Sequence, residues 1–290
     1  MNFFSAFLQE CAAEAKTSAA RFLQSRKARV DDNLPEGLKI GASIRFDNVP
    51  FLLASAAGHL IGDKPPPTQQ VVAYSRGELF GLRFHRFYLA DSLHFVQTVV
   101  DANNRLVDGE FKLFRRVRDW SPQNNSEWSV WLDGFDEDVR AQRLAIAKRL
   151  RDEGRTDDDE IWQEARRQVP EGVAIGYITF DLKKDEKDGK DSATVLASYR
   201  RIWPSSDNEA EQVDAEEFEE EVFTNPFDTT PRLVMRNKAM LYGRALPDVD
   251  EYLYLTEREH GPEDKPLEPV VEAYIGLTIT DRSKMLIATA

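Results

Sequence analysis

The sequence predicts an α+β fold: a mostly antiparallel β-sheet domain with an N-terminal amphipathic helix and an inserted helical hairpin. Three changes of texture predict it. Apolar residues recur at helical spacing in the first segment. Short β-branched and aromatic runs fill the chain from Leu38 onward, and a helical period interrupts them between Trp131 and Pro170.

In the first segment Phe4, Leu8, Cys11, Ala15, Ala19 and Phe22 share one face at spacings of three and four. Arg21, Arg26, Lys27 and Arg29 crowd its C-terminal end, where cations suit the helix dipole. "DDNLPEG" (31–37) ends it with turn chemistry, so residues 1–34 are helix and linker and 35–290 the main domain.

The strands begin with "LKIGASIRF". Beyond the proline-rich "KPPPTQQ", "VVAYSRGELFGLRFHRFYL", "LHFVQTVV" and "EFKLFRRVRDW" predict an antiparallel meander. Leu132, Phe135, Val139, Ile146 and Leu150 then make one helical stripe. Thr156 with Asp159 resembles a capping box for a second helix carrying Ile161, Trp162, Ala165 and Val169. Together they predict a helical hairpin at about 135–169. Strands resume from "GVAIGYITFDL" to "KMLIAT". They are separated by the mixed-charge "KKDEKDGKD" and by "SSDNEAEQVDAEEFEEE" (205–221), which reads as a solvated acidic connector.

Composition excludes several functions. A net charge of -13 repels phosphate backbones, so no nucleic-acid partner is expected. The one cysteine, Cys11, can form neither an intramolecular disulfide nor a Cys-based zinc cage, which fits a reducing cytoplasm. No apolar run approaches the roughly 18 to 20 residues that span a bilayer, and the N-terminus lacks the basic n-region of a secretory signal. Phosphate-loop, dinucleotide, zinc-protease and nucleophile-elbow motifs are missing, so no cofactor, metal or catalytic residue is assigned.

Four groups of residues remain as candidate sites. "LRFHRFYLADSLHF" (82–95) places His85 and Arg86 among aromatic residues near His94. A three-residue turn Ala90-Asp91-Ser92 sends the two histidines to opposite faces. A two-residue turn Ala90-Asp91 puts them diagonally on one face. "EFKLFRRVRDW" and "YRRIWP" set Arg116 and Arg200 beside Trp120 and Trp203, pairs that can grip an anion or serve as cross-strand contacts. In "EYLYLTERE", Glu257 and Glu259 share a strand face and Arg258 turns away. The N-terminal stripe, with Phe4, Phe7, Leu8 and Phe22, suits a partner helix or a membrane surface. Residues 1–30 carry five basic and two acidic side chains, opposite in sign to the whole chain.

The ordered set "GLKIGASIRFD", "VVAYSRGEL", "LRFHRFYLAD", "EFKLFRRV", "IGYITFD", "YRRIWP", "NKAMLYGRAL", "EYLYLTERE" and "VEAYIGLTI" resembles the YjfK-like family of bacterial proteins of unknown function, over roughly residues 35–288. The resemblance brings no catalytic residues. It implies an accessory role near the inner membrane, beside phage-shock-type membrane-stress proteins and ligases of the peptide–polyamine type.

The expectation is therefore a non-enzymatic cytoplasmic adaptor in a membrane-stress or envelope-maintenance system, with a protein partner and peripheral membrane contact through residues 1–30. An enzyme or small-ligand binder acting on a polyamine or peptide conjugate is the rival reading, and a structural homo-oligomer subunit the third.

Overall fold

A strand whose two faces are both buried needs two layers of cover, and the central strands here have them. In β2 (Thr68–Leu79) residues 71–75 are buried without a break, and in β3 (Leu82–Leu89) residues 84–89 are. The computed structural model describes residues 8–9, 29–32, 34–46, 65–121, 137–169, 177–183, 194–203, 215–246, 250–259, 270–279 and 285–288. The chain divides into two compact units. The first is Met1–Ser121, Glu217–Lys238 and Ala245–Ala290; the second is Pro122–Glu216 with Ala239–Arg244.

In the first unit β2 pairs antiparallel with β3, and β3 with β4 (His94–Val100). β4 pairs with β5 (Leu106–Trp120), and β5 with β11 (Val270–Thr278). β11 pairs with β10 (Glu251–Glu259), and the first half of β9 (Leu233–Arg244) lies beside β10. β8 (Glu216–Phe223) pairs with both β9 and β2, which shuts the ring into a closed eight-stranded antiparallel barrel. Closure satisfies the edge hydrogen bonds that an open sheet leaves to solvent. The start of β2 also pairs with β1 (Ser43–Phe46), and β1 with β12 (Met285–Ala288).

The fold is therefore mostly β and not α+β. The α+β expectation gave the helical segments the weight of a layer, whereas the sheet covers itself by curling shut. The predicted N-terminal helix lies outside the described residues, except for Leu8 and Gln9, which are helical, with Leu8 buried.

Rings fill the barrel: Phe95 stacks on Phe114 at 5.1 Å and meets Tyr274 edge-on at 5.1 Å. Two glycines make room for them. A Cβ on Gly77 would lie 2.2 Å from the Phe84 ring, and one on Gly276 2.4 Å from the Phe114 ring. Asp31, expected in a terminating turn, is a buried clasp for the entering chain. It takes a forked contact from Arg29 at 2.8 and 3.0 Å and accepts from the Ile40 amide at 2.6 Å.

In the second unit α1 (Glu137–Asp152) and α2 (Asp158–Gln168) pack through Ala147, Leu150 and Ile161. Arg149 and Arg151 complement the end of α1, and Gly154 follows it with φ +91°. Asp157 caps α2, its Oδ1 accepting from the Glu160 amide at 3.1 Å. The expected Thr156–Asp159 box is thus displaced by one residue, because carboxylate and hydroxyl compete for the cap and Asp157 holds it. β6 (Tyr177–Lys183) pairs with β7 (Thr194–Trp203), and β7 with the second half of β9.

Candidate functional site

The barrel interior carries charge. Strand alternation points Phe84, Arg86 and Tyr88 inward from β3. The Arg86 guanidinium meets Glu220 on β8 at 2.8 Å, Gln97 on β4 at 2.9 Å and the Tyr254 hydroxyl on β10 at 2.9 Å. β3 and β10 stand opposite each other in the ring, so the last bond crosses the lumen. Phe84, Phe95, Phe218 and Tyr254 surround the cation with ring centroids 4.8 to 5.8 Å away. Glu220 also accepts from Ser75 at 2.5 Å and from Tyr88.

Asn237 carries the network onward. Its amide nitrogen lies 3.4 Å from Glu220, and its oxygen accepts from Arg258 at 3.1 Å. Arg258 meets Glu272 at 2.8 Å and Tyr274 at 3.0 Å, and Arg116 reaches the other Glu272 oxygen at 3.4 Å. Burial opposes the charge on Arg86 and on Glu220, but their mutual attraction wins. The guanidinium is held above its ordinary range and the carboxyl below its own, helped by Arg258. Burial pushes the Tyr88 and Tyr274 hydroxyls up, so both stay protonated and donate.

The candidate residues separate on this frame. Arg86 and Arg116 belong to the interior network, joined through Glu220, Asn237, Arg258 and Glu272. Arg200, exposed, and Trp203, half-buried, belong to the second unit, where they pair with Gly243 and Leu241. Phe4, Phe7 and Phe22 lie outside the described residues. Glu257 faces outward beside a groove of about 690 Å³, with Glu217, Glu219, Glu259, Arg236 and Lys238, while Arg258 points inward.

The β3–β4 connection is neither of the two expected turns. Tyr88 pairs with Phe95, leaving a four-residue loop from Ala90 to Leu93. Asp91 sets its length: one carboxylate oxygen accepts from the Leu93 and His94 amides at 3.0 Å, and the other contacts His94 Nδ1 at 2.7 Å. Those bonds hold the Asp91 carboxyl below its usual range against the opposing effect of burial. His85 pairs with Thr98, so the two histidines share the outer face. His94 stands level with Leu89, four residues and about 13 Å along β3 from His85, too far for one site.

His85 is 4% exposed, and its Nδ1 lies 2.8 Å from the Tyr74 hydroxyl. Burial, with Arg83 and Arg76, pushes its pKa down to about 4, so the ring is neutral at physiological pH. It lines an outer cavity of about 630 Å³ with Asp32, Arg76, Glu78, Arg83, Glu219 and Glu221 around it. Among the described residues no group of three or more His, Cys, Asp or Glu side chains could hold a metal ion. No helix there is long and apolar enough to cross a membrane.

Sequence reasoning missed Glu220, Asn237, Glu272 and Tyr74. Glu220 sits in an acidic run that reads as solvated, and only its β8 parity separates it from the exposed Glu219. A family model described as a protein of unknown function (DUF2491) matches residues 17–147, a span from before β1 into α1. No curated protein and no solved structure matches the chain.

Proposed function

We propose that this chain is a non-enzymatic accessory protein that docks on a protein partner through the tip of its β2–β3 hairpin. Phe80 carries the reading. Leu79 pairs with Leu82, so Phe80 and Gly81 form a two-residue turn with φ +52° and +73°. Turns with both φ values positive favour Asn-Gly, and a bulky aromatic at the first position is strained. Phe80 is nevertheless 64% exposed, and Leu82 beside it 38%. An aromatic kept exposed at a strained tip is the kind of anchor that dominates protein interfaces.

The finer likeness to the YjfK-like family supports a partner of the phage-shock membrane-stress type, with residues 1–30 touching the membrane from the cytoplasmic side. The net charge of -13 favours a protein over a nucleic acid. The test is Phe80→Asn, which suits the turn and removes the anchor. The variant is expected to remain folded and to lose binding to whichever purified partner the parent chain captures. Unchanged binding would overturn the reading.

A further inference from the structure

The polar side chains on the outer face of β2, β3 and β8 are only partly used by one another. Register lines up Glu221, Arg76, His85 and Thr98 across β8, β2, β3 and β4. Arg76 and Glu221 are spent in an ion pair at 2.8 Å. His85 and Thr98 are both buried, and neither His85 Nε2 nor Thr98 Oγ1 has a hydrogen-bond partner.

The tautomer of His85 follows from Tyr74. Burial keeps that phenol protonated, and His85 Nδ1 is the acceptor at hand for its hydrogen. If the hydroxyl donates to Nδ1, the ring hydrogen sits on Nε2. The reverse arrangement leaves both the phenol hydrogen and a ring lone pair unused, which costs more. Nε2 is therefore a buried donor without an acceptor, on a residue that lines a cavity of about 630 Å³. That volume falls in the range of small-molecule sites, about 300 to 1,000 Å³.

The remaining charges around the cavity are lopsided. With Arg76 and Glu221 paired, Arg83 faces three carboxylates, Asp32, Glu78 and Glu219. Glu219 has a long 3.8 Å contact to Arg236, while Asp32 accepts from the Arg29 amide at 3.1 Å and lies 4.0 Å from its guanidinium. From the cavity, the orphaned donor and this imbalance, we infer that the site binds a small zwitterion, a free basic amino acid in class. Binding turns the His85 ring enough to bring its covered Nε2 to the ligand carboxylate beside Arg83, and the ammonium groups lie among Asp32, Glu78 and Glu219. This site uses side chains other than Phe80, although Glu78 and Arg83 lie on the same hairpin as the docking tip.

Calorimetric titration of the full chain with L-lysine, 1,5-diaminopentane and glutarate tests it, alongside nitrogen-15 NMR of the histidine rings. Lysine should bind saturably and move the His85 Nε2 signal. The diamine, lacking the carboxylate, should bind about tenfold or more weaker, and glutarate should not bind. His85→Phe should lose lysine binding by a similar factor. If that variant does not fold, Tyr74→Phe/His85→Phe removes both partners and replaces it. Three results overturn the proposal: no saturable lysine binding with an unmoved His85 signal, as for a buried water at Nε2; diamine or glutarate binding as tight as lysine; or lysine binding unaffected by the histidine substitution.

Discussion

The inside of the barrel and the outside of its β2–β3–β8 wall both bury polar side chains, but only the inside answers its charges with paired carboxylates. Inside, Arg86, Arg116 and Arg258 each meet Glu220 or Glu272, and tyrosine hydroxyls and Asn237 add further hydrogen bonds, although Arg258 Nη2 makes none. Outside, His85 Nε2 and Thr98 Oγ1 are left without partners, and His85 lines a cavity. Residues that look catalytic in a sequence because they are charged are here bonded to one another. A residue whose bonding is incomplete is the better guide to a site.

The sharpest way to break this contrast is to unbalance the interior. Glu220→Gln leaves Arg86 as a buried charge without its carboxylate and is expected to cost about 3 to 5 kcal/mol in chemical denaturation. A cost below about 1 kcal/mol would mean that the interior tolerates an uncompensated charge. The same carboxyl ties the fold to pH. Its folded pKa lies below the ordinary 4.5, so its contribution is complete above about 4.5 and is lost as pH falls through the folded value. The glutamine variant should lack that acid-side loss.

His85 gives the next effect, from the outer face. The unfolded chain takes up this proton near 6.5 and the folded chain only near 4. Its contribution is therefore whole above pH 6.5 and is lost as pH falls towards 4, by at most about 3 kcal/mol. A stability profile from pH 8 to 4 should flatten in that window for His85→Phe; an unchanged slope would place the ring in water.

Packing sets the third effect. Gly77→Ala drives a methyl against the Phe84 ring and the Glu219 carbonyl, and should cost about 1 to 3 kcal/mol in a thermal melt. The smallest effect is of opposite sign. Phe80→Asn relieves the left-handed strain at the hairpin tip and should stabilise the protein by up to about 1 kcal/mol. A loss instead would show that the contacts of Phe80 within the chain outweigh the strain.

Strands were legible and their closure was not. β2 and β3 could be read from β-branched and aromatic runs around Phe80-Gly81, and the helices at Ala147 and Ile161 from their period. Nothing local announces that β8 reaches β2, because Ser75 and Val222 are far apart in sequence and meet only through the ring. The pattern also misleads by inversion. Arg86 and Glu272 stand beside the apolar Phe87, Val271 and Ala273, a pattern that normally puts the charges in solvent. Here the charges point into the barrel, while Phe87, Leu255 and Ala273 are buried on its outer face. The β3–β4 loop escaped for a smaller reason: Asp91 ties two amides and His94, stretching to four residues a turn that strand pattern alone leaves undetermined.

The contrast between the two polar regions reduces to one paired experiment, urea denaturation of Tyr74→Phe/His85→Phe beside Glu220→Gln at neutral pH. Replacing both members of a buried hydrogen bond by apolar rings removes an unsatisfied donor as well, so the outer pair should stay within about 1 kcal/mol of the parent or exceed it. The interior variant should lose several kcal/mol. The reverse order, with the outer pair collapsing and Glu220→Gln near neutral, would contradict the assignment of the interior to the frame and of the outer cavity to binding.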